Sequence, residues 1–303
     1  MSQPWSPEQA IPIEHAGAII EKQFPELKPA KLQKLGEGFD NSVFMVNDQY
    51  VFRFPRRKIA VELIETETRL LPGLAGILPI PVPNPIFQGT PDDGYPWPFA
   101  GYPIIKGQPP SLLTEEQRLQ SVAPLARFLR TLHDYPIEKA KQLKIPFDEI
   151  GRLGIKMRKP RLVENMEKAK HLDIMHNGLV EALKHFLQTV PDDLSDGTQA
   201  LVHGDLHIRN ILVDDGGKVS GIIDWGDTHI GHPAVDLSMA YSFLPPKGRM
   251  EFFQIYGDMN ETIKKMARFK AIYTAVLLLL YGHDLRDSDL VRESQTSLQL
   301  ALQ

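Results

Sequence analysis

The chain has 303 residues, of which 42% are apolar, a formal net charge of -4 and no cysteine. This apolar fraction is ordinary for a folded protein, so a disordered chain is excluded. A weakly acidic charge without a long basic run argues against a nucleic-acid partner, and the lack of cysteine excludes disulfides, thiol catalysis and thiolate metal sites.

Export and membrane contact are not expected either. Residues 1–9 have neither the basic start nor the apolar stretch of a signal peptide. The longest nearly apolar run, Ala271–Tyr281, is far shorter than the roughly 20 residues that cross a bilayer. We therefore expect a cytoplasmic protein without a membrane partner.

The start of the chain predicts one helix followed by two strands. Apolar residues at mixed helical spacing predict a helix over residues 7–24, with Ser6 as its cap. Leu32–Leu35 and Val43–Val46 predict strands on either side of a loop with two glycines, residues 36–42. Such a loop fits either an ordinary hairpin turn or a site where backbone amides approach phosphate groups.

A third strand, a helix and a fourth strand follow. Tyr50–Pro55 is a β-type run in which Arg53 points away from its two phenylalanine neighbours. Ile59–Leu71 predicts a helix with three glutamates, at positions 62, 65 and 67. Prolines concentrated between positions 79 and 110 exclude a long helix there, and Phe99–Lys106 predicts a strand.

From position 114 onward helical spacing prevails. A capping box starts a helix at Thr114, which continues to His133 with a kink at Pro124. We expect His133 to pack at the helix end rather than to act as a catalyst. Residues 136–160 predict irregular structure. Further helices are predicted within residues 160–190 and over residues 247–256, 261–284 and 287–302. The apolar run Ala271–Tyr281 is predicted to be a buried part of the helix over residues 261–284.

The side chains that suggest chemistry lie in one stretch just after position 200. Asp205 and Asn210 follow a short apolar strand, and Asp224 closes the stretch. Ile211–Val213 and Val219–Ile223 are β-type runs joined by Asp-Asp-Gly-Gly, which predicts a hairpin. Because Asn210 and Asp224 flank its open end, their oxygens come together and suit a hard cation such as Mg²⁺. Asp205 is then free to accept a proton.

Two other interpretations use the same residues. Asp and Asn in turns commonly bond their own backbone, so this pair alone is a weak signal. His203, Asp205 and His207 alternate on an extended segment and could form the metal cluster of a hydrolase. No further histidine-rich motif of matching spacing supports the hydrolase. Order, spacing and the intervening hairpin together favour the arrangement of base and Mg²⁺ ligands.

The block His-Gly-Asp-Leu-His-x-x-Asn, followed by Ile-Asp-Trp, resembles the signature of the aminoglycoside phosphotransferase and choline kinase group, relatives of protein kinases. The resemblance implies an α+β, two-lobed protein-kinase-like fold. An N-terminal lobe of antiparallel β-sheet, residues 1–106, would cover the nucleotide. A mainly helical C-terminal lobe, residues 107–303, would carry the catalytic hairpin and bind the substrate.

The same resemblance implies roles for residues of the catalytic stretch. Asp205 would be the catalytic base, and Asn210 and Asp224 would bind Mg²⁺. His203 would shape the loop. Asp236, in a Gly-x-Pro-x-x-Asp-Leu segment, would bond loop amides and brace the loop from behind.

Other residues correspond to the nucleotide-binding parts of these enzymes. Gly36 and Gly38 would belong to the loop over the phosphates, with Ser42 in place of a third glycine. Arg53 stands where protein kinases have a phosphate-binding lysine, and Glu67 is the glutamate that would pair with it. The strand and hinge whose backbone would bind the nucleobase would include Tyr102, Ile104 and Lys106.

The resemblance implies a small-molecule kinase that transfers the γ-phosphoryl group of ATP or GTP to a hydroxyl of an antibiotic, with Mg²⁺ as cofactor. We expect a monomer and an aminoglycoside acceptor. A polycationic aminoglycoside requires an acidic cleft, for which six aspartates are available: Asp192, Asp193, Asp196, Asp227, Asp284 and Asp287.

Three alternatives stay open at this point. The acceptor could be a macrolide, as in macrolide 2'-phosphotransferases, or a housekeeping sugar or amino alcohol. An alternative of a different class is a nucleotide-binding pseudokinase that regulates a partner. The intact Asp205, Asn210 and Asp224 disfavour the pseudokinase, whereas the missing strand lysine favours it.

Overall fold

A five-stranded antiparallel sheet forms the N-terminal part of the molecule. The computed structural model describes residues 8–37 and 40–303. The sheet contains β1 (Leu32–Glu37), β2 (Asn41–Val46), β3 (Tyr50–Pro55), β4 (Phe87–Gly89) and β5 (Phe99–Pro103). The strands are ordered β1-β2-β3-β5-β4, and each neighbouring pair is antiparallel. The predicted N-terminal antiparallel sheet is confirmed.

Helices dominate the rest of the chain, as predicted. Two short antiparallel strand pairs lie among them, β6 (Ala200–Val202) with β9 (His229–Gly231) and β7 (Ile211–Val213) with β8 (Val219–Ile222). The α-helices of the described residues are α1 (Ile13–Gln23), α2 (Lys58–Ala75), α3 (Glu115–Leu119), α4 (Val122–His133), α5 (Ile137–Gln142), α6 (Ile155–His171), α7 (Asn177–Gln188), α8 (Ala234–Leu237), α9 (Met239–Ser242), α10 (Pro246–Tyr256), α11 (Glu261–Leu285) and α12 (Ser288–Leu302).

The two faces of β3 have opposite environments. Phe52 and Phe54 are fully buried in an aromatic cluster, in which the rings of Phe54 and Phe99 stack with centroids 4.3 Å apart. Arg53 lies between them in sequence and points to the other face, toward α2. This alternation follows from the period of two residues in a strand.

The first helix is shorter than predicted. α1 begins at Ile13 rather than at residue 7, and Pro12 precedes it in an extended conformation. A proline disfavours the helical region for the residue before it, so Pro12 favours a helix that begins after it. Ser6, the predicted cap, lies outside the described residues.

Two predictions for the middle of the chain are wrong. The predicted kink at Pro124 is a break between α3 and α4, which leaves Pro124 in the first turn of α4. A proline costs no hydrogen bond there, because the first helical N–H groups have no partner within the helix. Residues 136–160 are not irregular throughout, since α5 forms within them and α6 already begins at Ile155. The six residues of α5 are too few to show helical periodicity.

Buried apolar side chains form two groups. The smaller lies between α1 and the sheet, and the larger extends from α2 to α12. The apolar run of α11 is mostly buried in the larger group, as predicted. None of the described helices is long and apolar enough to cross a membrane. α2 and Tyr102 of β5 lie before the predicted lobe boundary at 106/107, yet their buried side chains belong to the larger group. The buried groups therefore do not divide at this boundary, which stays a prediction.

Candidate active site

One buried carboxylate holds the loop that follows β6. Asp236, in α8, is fully buried and accepts hydrogen bonds from the N–H groups of His203, at 2.7 Å, and Gly204, at 3.0 Å. It also accepts a hydrogen bond from Nε2 of His133 at 3.2 Å. Burial by itself raises the pKa of Asp236, but the hydrogen bonds and the charge of His133 keep this pKa below its usual range. The loop therefore rests on an ionised group.

Gly204 allows this loop to approach a second loop closely. Its φ of +87° lies in the left-handed region, which glycine adopts without strain. A Cβ at this position would collide with the backbone carbonyl oxygen of Asp227. The loop of residues 203–210 therefore packs directly against the segment that follows Asp224.

His203 connects the loop to the hairpin. Its Nε2 donates a hydrogen bond to the carbonyl oxygen of Ile223 at 3.0 Å, and its ring centroid lies 4.7 Å from that of Trp225. The hydrolase interpretation is not supported. Within residues 8–37 and 40–303, no group of three or more His, Asp or Glu side chains is arranged to bind a metal ion.

Asp205 lines a cavity and is ionised. Its side chain is 40% exposed, and Oδ2 accepts hydrogen bonds from His207 Nε2 at 3.3 Å and Asn210 Nδ2 at 3.4 Å. Burial alone raises the pKa of this carboxyl, but the hydrogen bond and charge of His207, together with the charge of Lys270, lower the pKa to about 2. At neutral pH Asp205 is a carboxylate that can accept a proton.

The hairpin brings Asn210 and Asp224 to the same end. The N–H of Ile223 donates to the backbone oxygen of Asn210 at 2.9 Å. The Asn210 amide Nδ2 donates to the backbone oxygen of Asp205 at 2.9 Å, so its Oδ1 is the atom left to bind a ligand. Asp224 is half exposed toward the same cavity. An amide oxygen and a carboxylate are hard ligands, so this pair fits Mg²⁺, which completes its shell with water and phosphate oxygens.

Arg53 links the sheet to the hairpin. Its guanidinium donates to Glu67 Oε1 at 2.7 Å and to Asp224 Oδ1 at 3.0 Å. Glu67 is buried and also accepts a hydrogen bond from the Tyr102 hydroxyl at 2.8 Å, whereas the other two glutamates of α2 are exposed. Burial alone lowers the pKa of Arg53, but the charges of Glu67 and Asp224 raise it overall. The arginine is therefore held as a cation beside Asp224.

A cavity of about 520 Å³ lies between the sheet and the hairpin. Its walls include apolar side chains from both, which suit a nucleotide base. The predicted catalytic base Asp205 and the predicted Mg²⁺ ligands Asn210 and Asp224 line this cavity. Three of the predicted nucleotide-binding residues also line it, namely Arg53, Tyr102 and Ile104.

The other residues predicted to bind nucleotide lie outside the cavity lining. The carbonyl oxygen of Lys106 accepts a hydrogen bond from the Ser220 hydroxyl at 3.0 Å. Ser42 is buried within β2, and Gly36 lies at an irregularity of β1. Gly38 lies outside the described residues.

Several aspartates expected in an acidic cleft already have partners. Asp192 pairs with Lys159 at 2.8 Å, and Asp227 pairs with Arg152. Asp287 caps α12 by accepting hydrogen bonds from its first amides. A polycation would have to compete with these partners.

Three residues near Asp205 and Asp236 were not predicted to take part in the site. His207 lies inside the motif, where its contact with Asp205 could have been suspected from the two-residue spacing. His133 and Lys270 come from α4 and α11, distant in sequence, and reach the site only through packing. No local pattern marks them.

Comparison with known proteins places the chain among phosphotransferases. The sequence model of the family described as APH, phosphotransferase enzyme family, matches residues 31–272. The uncharacterized protein YcbJ of Bacillus subtilis (strain 168) is 28% identical over 269 residues, covering 82% of this chain and 84% of that protein. Viomycin phosphotransferase of Streptomyces vinaceus is 27% identical over 204 residues, covering 64% of this chain and 67% of that enzyme.

A solved structure agrees with the sequence comparisons. The GDP and kanamycin complex of APH(2")-IIia has a TM-score of 0.65 and 25% sequence identity, and the match covers 95% of this chain and 98% of that one. This likeness confirms the predicted two-lobed, kinase-like α+β fold.

Proposed function

The chain belongs to the phosphotransferase enzyme family, and from this premise we propose that it transfers the γ-phosphoryl group of ATP or GTP to a hydroxyl of a small molecule. The observation that carries the proposal is the set of contacts that joins Arg53, Glu67 and Asp224 across a cavity also lined by Asp205. The GDP bound in the APH(2")-IIia structure supports a nucleoside triphosphate donor.

In the proposed reaction Asp205 accepts the proton of the acceptor hydroxyl. The hydroxyl oxygen forms a bond to the γ-phosphorus while the bond from that phosphorus to the bridging oxygen breaks, which releases the nucleoside diphosphate. Arg53 neutralises phosphate charge with the N–H groups that Glu67 and Asp224 leave free. The main contributions to the rate are positioning and electrostatic stabilisation.

Asn210 and Asp224 are the residues that would bind Mg²⁺. When bound, the ion would neutralise charge on the phosphates. Asp236 and His203 act behind Asp205, because they fix the backbone from which it projects. Their proposed role is positioning.

The acceptor that the resemblance predicts is an aminoglycoside. The kanamycin in the APH(2")-IIia structure and the viomycin phosphotransferase relative support an antibiotic as the first class to test. We propose the cytoplasm as the site of action, because nucleoside triphosphates are available there.

The test is nucleotide turnover by the purified protein with Mg²⁺ and either ATP or GTP, against aminoglycosides, viomycin, macrolides, sugars and amino alcohols. The expected result is stimulation by one acceptor class, with a phosphorylated product in the mass spectrum. If nucleotide binds but no acceptor stimulates turnover, a nucleotide-binding regulator becomes the better interpretation.

Asp224→Asn is expected to raise the Mg²⁺ concentration needed for half-maximal turnover by about tenfold or more, because a charged oxygen ligand is lost. The backbone should tolerate the change, since Asp224 has φ +64° and asparagine adopts the left-handed region readily. The measurement is turnover as a function of Mg²⁺ at saturating nucleotide. An unchanged Mg²⁺ dependence would show that Asp224 is not a metal ligand.

His207→Gln is expected to move the acid limb of the kcat/KM profile to higher pH. His207 lowers the pKa of Asp205, so its removal lets that pKa rise toward the ordinary value. A base is inactive when protonated, so a higher pKa means that activity is lost at a higher pH as the solution is acidified. The profile should be recorded from about pH 2 to about pH 8, since both acid limbs lie at or below the ordinary carboxyl pKa near 4, and normalised to its maximum. Coincident limbs for the two proteins would contradict this role of His207.

A further inference from the structure

An arginine of the catalytic loop lines the proposed nucleotide cavity. Arg209 lies four residues after Asp205 and immediately before Asn210, and all three residues belong to the cavity lining. Arg209 is exposed, so its side chain is accessible to a ligand. The proposed reaction gives roles to Asp205 and Asn210 but none to this arginine.

The backbone of Arg209 is fixed relative to the catalytic base. Its N–H donates a hydrogen bond to Nδ1 of His207 at 3.3 Å, and Nε2 of the same ring lies 3.3 Å from Oδ2 of Asp205. The next residue, Asn210, donates from Nδ2 to the backbone oxygen of Asp205 at 2.9 Å. Arg209 therefore projects from the part of the loop that carries the base and a proposed Mg²⁺ ligand. In phosphoryl transfer these two groups act at the terminal phosphate.

An aromatic ring holds the other end of this side chain. The guanidinium carbon of Arg209 lies over the ring of Tyr281, 4.9 Å from its centroid. Tyr281, on α11, also belongs to the cavity lining. An aromatic face attracts a guanidinium electrostatically and does not neutralise its charge. The ring therefore keeps the cation at the cavity wall and leaves its charge available to a ligand.

The N–H groups of this guanidinium are not used by other described residues. Within residues 8–37 and 40–303, the Arg209 side chain forms no hydrogen bond or ion pair. The other arginine of the lining, Arg53, donates to both Glu67 and Asp224. Of these two lining arginines, Arg209 is thus the one whose charge is not already shared with carboxylates in the described part of the chain.

The charge of the lining makes an uncommitted cation important. Among the described residues, the lining has two arginines against three aspartates, namely Asp40, Asp205 and Asp224. It therefore carries no surplus of positive charge. A nucleoside triphosphate brings several negative charges, and its transfer concentrates charge on the terminal phosphate. Mg²⁺ would neutralise part of this charge and Arg53 is shared with two carboxylates, so Arg209 is the protein group best able to supply the remainder.

We propose that Arg209 binds the terminal phosphate of the nucleoside triphosphate and stabilises its charge during transfer. The proposal rests on the kinase function proposed above. Arg209 is then a second catalytic arginine beside Arg53, and Tyr281 is a positioning residue that holds its guanidinium. The phosphate is favoured over the acceptor as the group bound, because an aminoglycoside acceptor is a polycation that an arginine repels.

The test compares nucleotides that differ only in the terminal phosphate. ADP and a non-hydrolysable ATP analogue, with the guanosine compounds in parallel, are titrated calorimetrically with Mg²⁺ into wild type and Arg209→Gln. Binding of the triphosphate analogue should weaken about tenfold or more, the range for a lost charged hydrogen bond, and binding of the diphosphate should change much less. Turnover with an acceptor that stimulates wild type should fall about a hundredfold, as for other lost donors to a transition state.

Variants of the two partners separate charge from shape. Arg209→Lys should restore part of the triphosphate affinity, because it keeps the charge but loses the planar guanidinium. Tyr281→Leu should weaken triphosphate binding about threefold, the range for an exposed cation–π contact, whereas Tyr281→Phe keeps the ring and should have little effect. In the Arg209→Gln background Tyr281→Leu should add little, since the ring acts through the arginine.

The control is Arg127→Gln, the same change of charge at an exposed position of α4 outside the cavity lining. It should leave nucleotide binding and turnover unchanged. Unchanged affinity of Arg209→Gln for the triphosphate analogue, or an equal loss of affinity for diphosphate and triphosphate, would overturn the proposal and leave the kinase function intact. Failure of the wild-type protein to bind any of these nucleotides with Mg²⁺ would count against the kinase function instead.

Discussion

Asp205→Asn is expected to lower the rate of phosphoryl transfer by about 10³-fold, the typical contribution of a well-placed general base. Asparagine has nearly the same shape but cannot accept the hydroxyl proton. Nucleotide binding should persist, because the contacts of Arg53, Glu67 and Asp224 do not depend on Asp205. The measurements are kcat by product formation and the nucleotide Kd by calorimetry.

The matched control is Asp215→Asn, which makes the same change of charge at an exposed position in the turn between β7 and β8. It should leave both kcat and Kd unchanged. A near wild-type kcat of the Asp205→Asn variant would show that Asp205 is not the general base. Loss of nucleotide binding in that variant would indicate instead that Asp205 shapes the nucleotide site.

Asp236→Ala is expected to reduce the free energy of unfolding by about 3 kcal/mol, because it leaves buried donors without an acceptor. These donors are the N–H groups of His203 and Gly204 and the Nε2 of His133. Activity should also fall, since the loop that carries Asp205 loses its support. The measurement is denaturant unfolding near neutral pH, accompanied by kcat at a temperature where the variant is folded.

The contribution of Asp236 should depend on pH in a defined direction. Its pKa is lowered in the folded protein, so its contribution is present above its unfolded pKa near 4 and is lost as the pH falls through the lower folded value. The stability difference between wild type and Asp236→Ala should therefore shrink on acidification. Asp134→Ala is the control, because the Asp134 carboxylate forms an exposed ion pair with Arg130 and should contribute less than about 1 kcal/mol. Equal losses in the two variants would contradict the bracing role of Asp236.

Local signals made the catalytic hairpin predictable. The order of Asp205, Asn210 and Asp224, with a turn of Asp and Gly between two β-type runs, required only short-range geometry. The alternation in β3 placed Arg53 on the face opposite its phenylalanine neighbours for the same reason. Predictions failed where a proline or a short element altered the pattern, as at Pro12, Pro124 and α5.

The choice of partners could not be obtained from local patterns. Three glutamates on α2 had suitable chemistry, and resemblance to kinases rather than periodicity selected Glu67, the one buried against Arg53. Lys106 was predicted at the end of a strand and Ser42 in the loop before the next strand, but neither lines the cavity. β5 ends at Pro103, before Lys106, and Ser42 is buried within β2, because strand ends and register decide which side chains face the cavity.

The sequence by itself determined the elements that depend on neighbouring residues, namely the sheet strands, the helix periodicity and the hairpin that joins Asn210 to Asp224. Only the tertiary structure decided which distant charges surround them. Asp236, His133 and Lys270 come from three different helices: Asp236 binds the catalytic loop, His133 binds Asp236, and the charge of Lys270 acts on Asp205. These relations depend on packing between elements. Charge interactions act through space and carry no sequence period, which is why the effect of Lys270 on the pKa of Asp205 became visible only in the folded molecule.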